Sequence, residues 1–535
     1  MNKSLKKFWL KKSNLVKWYN SPKFSYREIK KKIEWYPDGK INIYNNCVEQ
    51  NLKNENKTAL ICINKSLDIK NFSYKELFYS VENLSIVLNK FNKKKIRVAI
   101  HASASLESAI SMLACCKLGY TFSVIFEDLP KDSILTRLKL FKPDIFISRI
   151  ENNSFHKIVL PIIKKYKTEE KKVIKVIKLN NQKKIKKVLN INTEKLLDNK
   201  NVSTFIKTKK VRSPNTSFVL FTSGSTGQPK GIVHSTGGYL LYSKYTCKEQ
   251  FGMNNNSIVL TASDAGWING HTYSLFGPLS FGSTSILLES PLILLNESLL
   301  NKIIYELKVS ILYLPVTLIR ILKSTLELKV YKKSSIKSIG SMGEPLAASV
   351  AKWFSKIFSD DKLAVVNTYF QTETGGIICS PKYNLKKPNI SHGTVGKPVN
   401  KYIKISLEKK FSKKESEIKI TTPWPGCLKD VINGRKFYSK YWDKEKFKLF
   451  DIGQYDRNKN LKVFGRSDDV INVRGHRIGS GEIESLLLEL KFVQLHGDED
   501  DNYALRLGVE ALSQICVDLG IAIPVGKDSL SMKTK

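Results

Sequence analysis

Between residues 59 and 150, short apolar runs alternate with stretches of helical period, and this alternation constrains the fold more than any other feature. The strand-like runs are Ala59–Ile63, Ile96–Ile100, Thr121–Phe126 and Ile145–Ser148, and the stretches of helical period are Ser73–Lys90, Glu107–Leu118 and Lys131–Phe141. The pattern predicts a parallel sheet covered by helices on both faces. We expect Asp144–Ser148 to close this first unit.

A second α/β unit is predicted to begin at Ser217. Its further buried strands are expected at Asn255–Ala262, Val309–Leu314 and Ala364–Asn367, each followed by a polar loop. Ligands of open α/β sheets bind beyond the carboxyl ends of the strands, so these loops are the candidate site. The lysine-rich stretch 150–212 is interpreted as a solvated helix face and linker.

The chain has 535 residues, enough for two or three domains, and a formal net charge of +41. Only about 12 of its 89 basic residues are arginine, and the lysines are dispersed, so we expect no nucleic-acid partner. A nucleic-acid binder remains an alternative because of the charge. No apolar run approaches a membrane span, and the N-terminal residues lack the apolar core of a signal peptide. The eight cysteines have no C-x-x-C spacing, so a reduced, cytoplasmic protein is predicted.

The stretch Phe221–Gly237 reads FTSGSTGQPKGIVHSTG and combines small hydroxylated residues, glycines and Lys230. Backbone N–H groups in such a run can turn toward an anion, while the hydroxyls and the lysine add donors. A Walker loop is excluded because its spacing is absent. The run is therefore a candidate phosphate-binding loop, with a plain surface turn as the alternative.

The segment TSGSTGQPKG resembles the signature loop of the AMP-forming acyl-CoA synthetases, of the adenylate-forming superfamily. Three further segments resemble loops of its acetyl-CoA synthetase-like members in the same order: Asp264–His271, Gly340–Pro345 and Thr368–Gly376. Residues 1–50 also resemble the N-terminal region of those synthetases. Alone, Trp267 and His271 could be core residues and Glu373 a helix-start charge. Four matches in order favour the functional interpretation, least firmly for His271.

The resemblance implies a role for each matching residue, with ATP, Mg²⁺ and coenzyme A as ligands. The implied catalytic residues are Lys230, Thr226, Glu373 and Arg477, and Glu373 would also hold Mg²⁺. The implied nucleotide-binding residues are Thr222, Ser223, Gly224, Ser225, Gly227, Gly343, Glu344, Pro345, Gln371, Thr372, Asp451 and Arg466. Asp468 would be the hinge, and Gly475 would line the tunnel for CoA. Two departures weaken the match, since Leu449-Phe450 replaces the Thr-Gly before Asp451 and Arg474 replaces a serine.

The resemblance also implies an acyl pocket formed by Trp267, Ile268, Met342 and Phe370. Phe370 is smaller than the tryptophan usual there, whereas Met342 is larger than the usual valine. The two changes oppose each other, and one methylene changes discrimination by only about 1–3 kcal/mol. The expected substrate is therefore a short-chain carboxylate, acetate first and propionate next.

The synthetase-like sequence extends to about Leu488, and the lysine-bearing P-K-x-x-S-G-K-type segment expected beyond it does not occur. Instead, the tail resembles an internal fragment of phosphoribosylformylglycinamidine synthase. We expect an N-terminal extension at 1–50, an adenylation domain at 51–465, a truncated C-terminal domain at 466–493 and a foreign tail at 494–535. An assembly join is the favoured explanation and a genuine fusion the alternative.

Pattern and resemblance together predict an α/β protein. Its large N-terminal region would hold two doubly wound α/β subdomains and a small β-rich subdomain around 385–465, followed by a truncated α+β domain. The expected function is ATP-dependent formation of acyl-AMP and then acyl-CoA, impaired here because the C-terminal lysine is missing. A non-catalytic nucleotide-binding remnant or a chimeric gene product is the alternative. The partners expected are small molecules, with no membrane, and the sequence predicts no oligomeric state.

Overall fold

A computed structural model describes residues 3–29, 32–91, 95–180, 184–185, 188–197, 205–222, 229–384, 393–410, 416–432, 435–466, 470–473 and 476–479. Its strands are β1 (Tyr26–Ile29), β2 (Lys32–Trp35), β3 (Lys40–Ile41), β4 (Thr58–Ile63), β5 (Ile69–Ser73), β6 (Arg97–His101), β7 (Thr121–Ile125), β8 (Ile145–Ser148), β9 (Lys175–Leu179), β10 (Leu189–Ile191), β11 (Val211–Arg212), β12 (Thr216–Thr222), β13 (Lys230–Ser235), β14 (Ile258–Thr261), β15 (Thr284–Leu288), β16 (Ile311–Pro315), β17 (Ser338–Met342), β18 (Val365–Asn367), β19 (Ile405–Lys410), β20 (Ser416–Ile420), β21 (Asp430–Ile432), β22 (Trp442–Asp443), β23 (Lys446–Tyr455), β24 (Leu461–Arg466), β25 (Val470–Val473) and β26 (His476–Gly479).

The helices cover the faces of the sheets. They are α1 (Lys3–Lys12), α2 (Ile43–Cys47), α3 (Tyr74–Asn89), α4 (Leu106–Leu118), α5 (Lys131–Phe141), α6 (Asn152–Ser154), α7 (Leu160–Glu170), α8 (Thr193–Leu197), α9 (Thr236–Phe251), α10 (Gly277–Phe281), α11 (Glu297–Asn301), α12 (Val316–Thr325), α13 (Ala348–Ser359) and α14 (Arg435–Lys440). Single 3₁₀ or π turns occur at Ser13–Leu15, Glu49–Asn54, Phe155–Val159, Gly270–Phe276, Pro291–Leu295, Lys302–Glu306 and Thr372–Thr374. Local sequence fixes several ends: Ser73 and Glu76, for example, form a capping box at the start of α3.

The first sheet has the strand order β10-β9-β8-β6-β7-β12-β13-β21. From β10 to β12 the neighbouring strands are parallel, whereas β13 is antiparallel to both β12 and β21. β6, β7 and β8 are mostly apolar and almost wholly buried, because helices cover both faces of a parallel sheet. The predicted parallel sheet is therefore confirmed.

The second sheet has the order β18-β17-β16-β14-β15-β4-β5, parallel except for the edge strand β5. Its strands β4 and β5 precede the whole first sheet in sequence, whereas β12 belongs to the first sheet. The prediction that one unit closes at Ser148 and the next begins at Ser217 is therefore wrong. Periodicity identifies strands but carries no information about which distant strand will pair with them.

The stretch 150–212 is also more ordered than the linker interpretation predicted. α7 lies in it, and β9 and β10 extend the first sheet. Ile177 and Leu179 are fully buried, and even Lys178 is only 1% exposed. The apolar residues of β9 are few and lie among frequent lysines, so the lysine-rich composition led to the interpretation of a linker, which is wrong for this strand.

A third, antiparallel sheet combines β19, β20, β22, β23 and β24, and it corresponds to the predicted β-rich subdomain. β25 and β26 form a separate hairpin. The N-terminal segment packs into the main core, where Trp9 is fully buried against Trp35, Tyr242 and Tyr245. Within the described residues, none of the helices is long and apolar enough to cross a membrane.

Candidate active site

The ends of the predicted phosphate loop lie at the carboxyl end of β12. There Thr222 pairs with Lys230 of β13, and both residues are half-buried. The loop residues Ser223, Gly224, Ser225, Thr226 and Gly227 lie outside the described residues. The structure therefore places the base of the loop at the edge of the sheet where ligands of α/β folds bind.

The predicted nucleotide loop follows β17. Met342 ends the strand and is buried, and Gly343 takes a φ of +93°, in the left-handed region that favours glycine. Glu344 accepts a hydrogen bond from Arg320 of α12 at 3.4 Å, and a second Arg320 nitrogen donates to the Pro345 carbonyl at 3.4 Å. Sequence reasoning missed Arg320, because nothing near it in the sequence points to this loop.

The block after β18 lies beside the β17 loop. The Thr368 amide and hydroxyl both donate to the Ser341 carbonyl, at 3.0 and 2.7 Å. On the other side, His234 of β13 lies 2.8 Å from the Thr372 carbonyl oxygen. These contacts bring the phosphate-loop hairpin, the β17 loop and the β18 block to one edge of the molecule.

Asp451 of β23 joins the same group. Its carboxylate accepts hydrogen bonds from the Tyr369 hydroxyl at 2.6 Å and the Gln371 amide at 2.7 Å. The same Gln371 amide donates to the Leu449 carbonyl at 2.6 Å, so the departure Leu449-Phe450 still supplies a backbone acceptor. The predicted residues Gln371 and Asp451 are therefore brought together, and Tyr369 is a contact that sequence reasoning missed.

Burial raises the pKa of Asp451 to about 6, although the Arg466 charge and the two hydrogen bonds act in the opposite direction. Arg466 pairs with Asp451 across β23 and β24, and its guanidinium lies 6.0 Å from the Phe450 ring. Phe450 has a φ of +58°, which is strained for a non-glycine residue. The neighbourhood of Asp451 thus holds one cation and a carboxyl group that ionises near neutral pH.

Glu373 lies in the 3₁₀ turn after β18 and accepts a hydrogen bond from the Tyr441 hydroxyl at 2.7 Å. Its carbonyl oxygen accepts from the Leu428 amide at 2.8 Å, which fixes the turn against the loop leading to β21. The side chain remains partly exposed. Tyr441 was not found from the sequence, since it lies 68 residues away from its partner.

The four predicted acyl-pocket residues have different environments. Ile268 and Met342 are buried, and Phe370 packs its ring edge-on against Tyr273 at 5.5 Å. Trp267 is 44% exposed and contacts Phe126, at the end of β7, at 5.0 Å. Met342 ends β17 and Phe370 follows β18, the neighbouring strand of the second sheet, whereas Trp267 lies against Phe126, which follows a strand of the first sheet.

His271 is fully buried between Phe122 and Phe218, and its Nδ1 lies 3.1 Å from the Trp267 carbonyl oxygen. Burial lowers its pKa to about 3, so the imidazole is neutral at physiological pH. This geometry favours a structural role for His271, the interpretation that its sequence context made least certain.

Besides the phosphate-loop residues, three more predicted residues have no described side chain. Asp468 and Gly475 lie outside the described residues, and of Arg477 only the backbone is described, in β26 opposite Asn472. Their roles as hinge, CoA contact and phosphate contact stay predictions.

With this geometry in place, the relatives decide the family. The profile described as AMP-binding enzyme matches residues 47–416. The chain belongs to this family of AMP-binding enzymes. It is an AMP-forming acid–CoA ligase-like enzyme, whose reaction is acyl-CoA synthesis through an adenylate, with ATP and CoA as fitting substrates.

Two relatives of this chain are acetyl-coenzyme A synthetases. The acetyl-coenzyme A synthetase of Leptospira biflexa is 31% identical over 514 residues, covering 91% of this chain and 78% of that protein. The acetyl-coenzyme A synthetase of Helicobacter pylori strain G27 is 30% identical over 489 residues, covering 86% of this chain and 72% of that protein. The acetoacetyl-CoA synthetase structure from Streptomyces lividans matches 92% of this chain and 77% of its own, with a TM-score of 0.79 at 16% identity. This structural likeness confirms the predicted α/β architecture.

A second profile, described as FGAR-AT PurM_N-like domain, matches residues 467–535. The predicted resemblance of the tail to a fragment of a purine-biosynthesis enzyme is therefore confirmed. The match begins upstream of the expected position 494 and overlaps the β25–β26 hairpin.

Proposed function

We propose that this chain activates a short-chain carboxylate, acetate first and propionate second, to acyl-AMP and then transfers the acyl group to CoA. The observation that carries the proposal is the hydrogen-bonded group of Tyr369, Gln371 and Asp451 beside Arg466. It joins the β18 block to β23 at the edge where the phosphate-loop hairpin and the β17 loop also end. Such a group suits the ribose of a nucleotide, because an ionised carboxylate accepts hydrogen bonds from neighbouring hydroxyls.

In the proposed reaction, the substrate carboxylate attacks the α-phosphorus of ATP and pyrophosphate leaves. The CoA thiol then attacks the acyl carbon, and AMP leaves. Negative charge shifts among phosphate oxygens, so the protein contributes mainly position and electrostatic stabilisation. We assign phosphate contacts to Thr226, Lys230, Thr372 and Arg477, and ribose contacts to Asp451, on the basis of their match to the family.

We propose that Glu373 contributes one oxygen to Mg²⁺ that arrives with ATP. The site fits this limited role, because the carboxylate is partly exposed and Tyr441 engages Oε1. Within the described residues, groups of three or more acidic, histidine or cysteine side chains suited to holding a metal are absent. Mg²⁺ commonly takes one or two carboxylates and completes its shell with phosphates and water. The ion would neutralise phosphate charge when bound.

The preference for a short acid rests on Phe370 and Met342. Phe370 packs edge-on against the buried Tyr273, and Met342 is only 2% exposed. The Phe370 ring and the Met342 thioether are therefore held in place by their neighbours. A rigid, filled environment penalises each added methylene.

We also propose a cytoplasmic location, which the free cysteines among the described residues support.

The test is acid-dependent exchange of labelled pyrophosphate into ATP, with acetate, propionate and butyrate compared at equal concentration. We expect acetate to give the fastest exchange, and Phe370→Ala to shift the preference toward butyrate. A matched control is Phe358→Ala, which truncates a buried aromatic ring on α13 outside this group. Faster exchange with butyrate in the unmodified chain would contradict the proposed substrate, and ATP binding without any exchange would favour the non-catalytic alternative.

A further inference from the structure

A cavity of about 530 Å³ opens at the edge of the first sheet opposite the candidate active site. It is lined by residues at the starts of β6, β7 and β12, among them Arg97, Thr121 and Thr216. The candidate phosphate loop follows the other end of β12. β12 is seven residues long, so its two ends, Thr216 and Thr222, lie about 20 Å apart. The cavity is therefore a separate site.

Irregular strand pairing explains why the sheet opens here. β7 and β12 are joined in the described structure through the single residue pair Phe122 and Phe218. On its other side, β12 has a register shift between Thr216 and Phe218 where it pairs with β13. Such a bulge bends its strand and leaves one residue out of the ladder. At the starts of these strands the Thr121 hydroxyl of β7 donates to the Thr216 carbonyl of β12 at 3.4 Å, and the backbone ladder between them is interrupted beside the cavity.

The cavity wall combines cations with apolar surface. Lys95, Arg97, Lys209 and Lys429 line it, and the one acidic lining residue, Asp430, already pairs with Lys32 at 2.8 Å. Apolar side chains form much of the remaining wall, including Ile96, Val219 and Val233. A concave surface with one sign of charge concentrates counter-ions more strongly than a flat surface does.

Lys429 has an environment that differs from that of the many lysines on the surface. Its side chain is partly withdrawn into the wall, where Nζ donates to the Thr216 hydroxyl at 3.1 Å. Among the described residues, its ammonium has no carboxylate within ion-pair distance. Burial lowers its pKa from the usual value. An ammonium in such a place is stabilised by an anion that enters the cavity.

We propose that this cavity binds a small organic phosphate, with the phosphate group against Lys429, Lys95 and Lys209 and the organic part against the apolar wall. Lysine binds phosphate as a point charge, and the Thr216 hydroxyl, which accepts a hydrogen bond from Lys429, adds a neutral donor beside it. The volume suits a small molecule, because ligand pockets commonly measure about 300–1,000 Å³. The site goes beyond the proposed synthetase reaction and takes no part in it.

The test uses phenyl phosphate as probe with the full 535-residue chain, and saturation-transfer NMR to measure Kd. We expect phenyl phosphate to bind more tightly than phenol or inorganic phosphate. Lys429→Gln should weaken its binding on the order of tenfold, the effect of losing one charged hydrogen bond. The double variant Lys95→Gln/Lys209→Gln should weaken it also, and because both residues are exposed it should leave folding intact. Circular dichroism checks that each variant is folded.

Two control variants separate this site from others. Lys302→Gln removes an exposed lysine outside the cavity, and Lys230→Gln changes the candidate active site. Both should leave the Kd for phenyl phosphate unchanged. An unchanged Kd in the two cavity variants, or a loss of binding in Lys230→Gln alone, would overturn the proposal. Equal affinity for inorganic phosphate and phenyl phosphate would overturn the part assigned to the apolar wall.

Discussion

Asp451 connects the sequence pattern to a measurable property of the candidate site. It is a buried carboxyl group whose pKa is raised to about 6 by desolvation, while Tyr369, Gln371 and Arg466 favour its ionised form. A carboxyl group with this pKa changes charge between pH 5 and pH 7. Since only the ionised form is purely an acceptor, the contacts that we propose between Asp451 and the ribose hydroxyls should depend on pH in this range.

Adenosine should bind more tightly to this chain as the pH rises from 5 to 7. With a pKa of about 6, roughly one tenth of Asp451 is ionised at pH 5 and nine tenths at pH 7, so the affinity should rise up to about tenfold. Adenosine has no phosphate that titrates in this range, and calorimetry at several pH values measures the effect. The buried His234 and His271, with pKa values lowered to about 4 and 3, stay neutral throughout.

The substitution Asp451→Asn should give weaker binding without this pH dependence. Asp264 also has its pKa raised by burial, to about 7, so Asp264→Asn serves as the control and should retain the dependence. Adenosine affinity that is independent of pH in the unmodified chain would show that Asp451 does not contact the ribose.

At this scale, sequence reasoning found residues within motifs and missed their distant partners. Gln371 and Asp451 stood in recognisable blocks and are brought together by the fold. Tyr369 lies within the block Thr368–Gly376, whose pattern assigns it no role, and Tyr441 lies in no motif at all. Their hydroxyls act across 82 and 68 residues of sequence, and local patterns carry no information about such contacts. The distances could come only from the folded chain.

Among the elements, the turn after β18 depends on one glycine. Gly375 takes a φ of +67°, and a Cβ there would collide with the Gly426 carbonyl oxygen. Gly375→Ala should therefore lower the free energy of unfolding by about 3 kcal/mol or more, because backbone strain and overpacking add together. Gly343 offers a matched comparison, with a φ of +93° and nothing within 4 Å of its Cβ position.

For Gly343→Ala we expect a loss of only about 1 kcal/mol, from backbone strain alone. Urea unfolding of both variants measures the difference. Equal losses would mean that the close approach of Gly375 to Gly426 does not constrain the turn.

β9 tests the lysine-rich stretch that the sequence led us to interpret as a linker. Ile177→Ala should cost about 2–4 kcal/mol of unfolding free energy, since Ile177 is fully buried in the first sheet. Val173 lies four residues earlier and is 63% exposed, so Val173→Ala should change stability by less than about 0.5 kcal/mol. If both variants were equally stable, the segment would not be part of the core.

The elements themselves were largely predictable. α5 and β8 have the predicted bounds, and α3, α4, β6 and β7 lie within one or two residues of theirs. The helices were predicted from their strong helical period, and the strands from their continuous apolar runs. The sequence did not predict β9, because its apolar residues are few and are interrupted by lysine. Its burial depends on pairing with the neighbouring strand β8 and not on local composition.

For the whole molecule, the order of strands in space differs from their order in sequence. The chain first forms β4 and β5 of the second sheet. It then forms most of the first sheet, and it returns to the second sheet at β14. The two sheets are thus formed from interleaved segments, and the edge that carries the candidate site draws on both. Removing β4 and β5 would therefore take strands from the second sheet, whose other strands begin only at β14.

The junction that we propose after about Leu488 would affect the molecule as a whole, because residues 467–535 match a different family. We expect the polypeptide of residues 1–535 to bind ATP but to exchange pyrophosphate slowly. The expected lysine-bearing segment would supply a cationic contact made chiefly in the transition state, and losing such a contact slows a reaction on the order of a hundredfold or more. Ground-state binding depends on loops that precede the junction and should be little changed.

The measurement compares this polypeptide with a chimera that keeps residues 1–488 and continues with the complete C-terminal domain of the Leptospira biflexa relative. ATP affinity by calorimetry should agree within about twofold, while acetate-dependent exchange should rise by the factor given above. A second chimera with the lysine of the grafted domain changed to alanine separates the lysine from the rest of that domain, and it should return to the slow rate. Fast exchange by the 535-residue polypeptide itself would show that the reaction proceeds without that lysine. No gain in the first chimera, with ATP affinity retained, would show instead that residues before the junction limit catalysis.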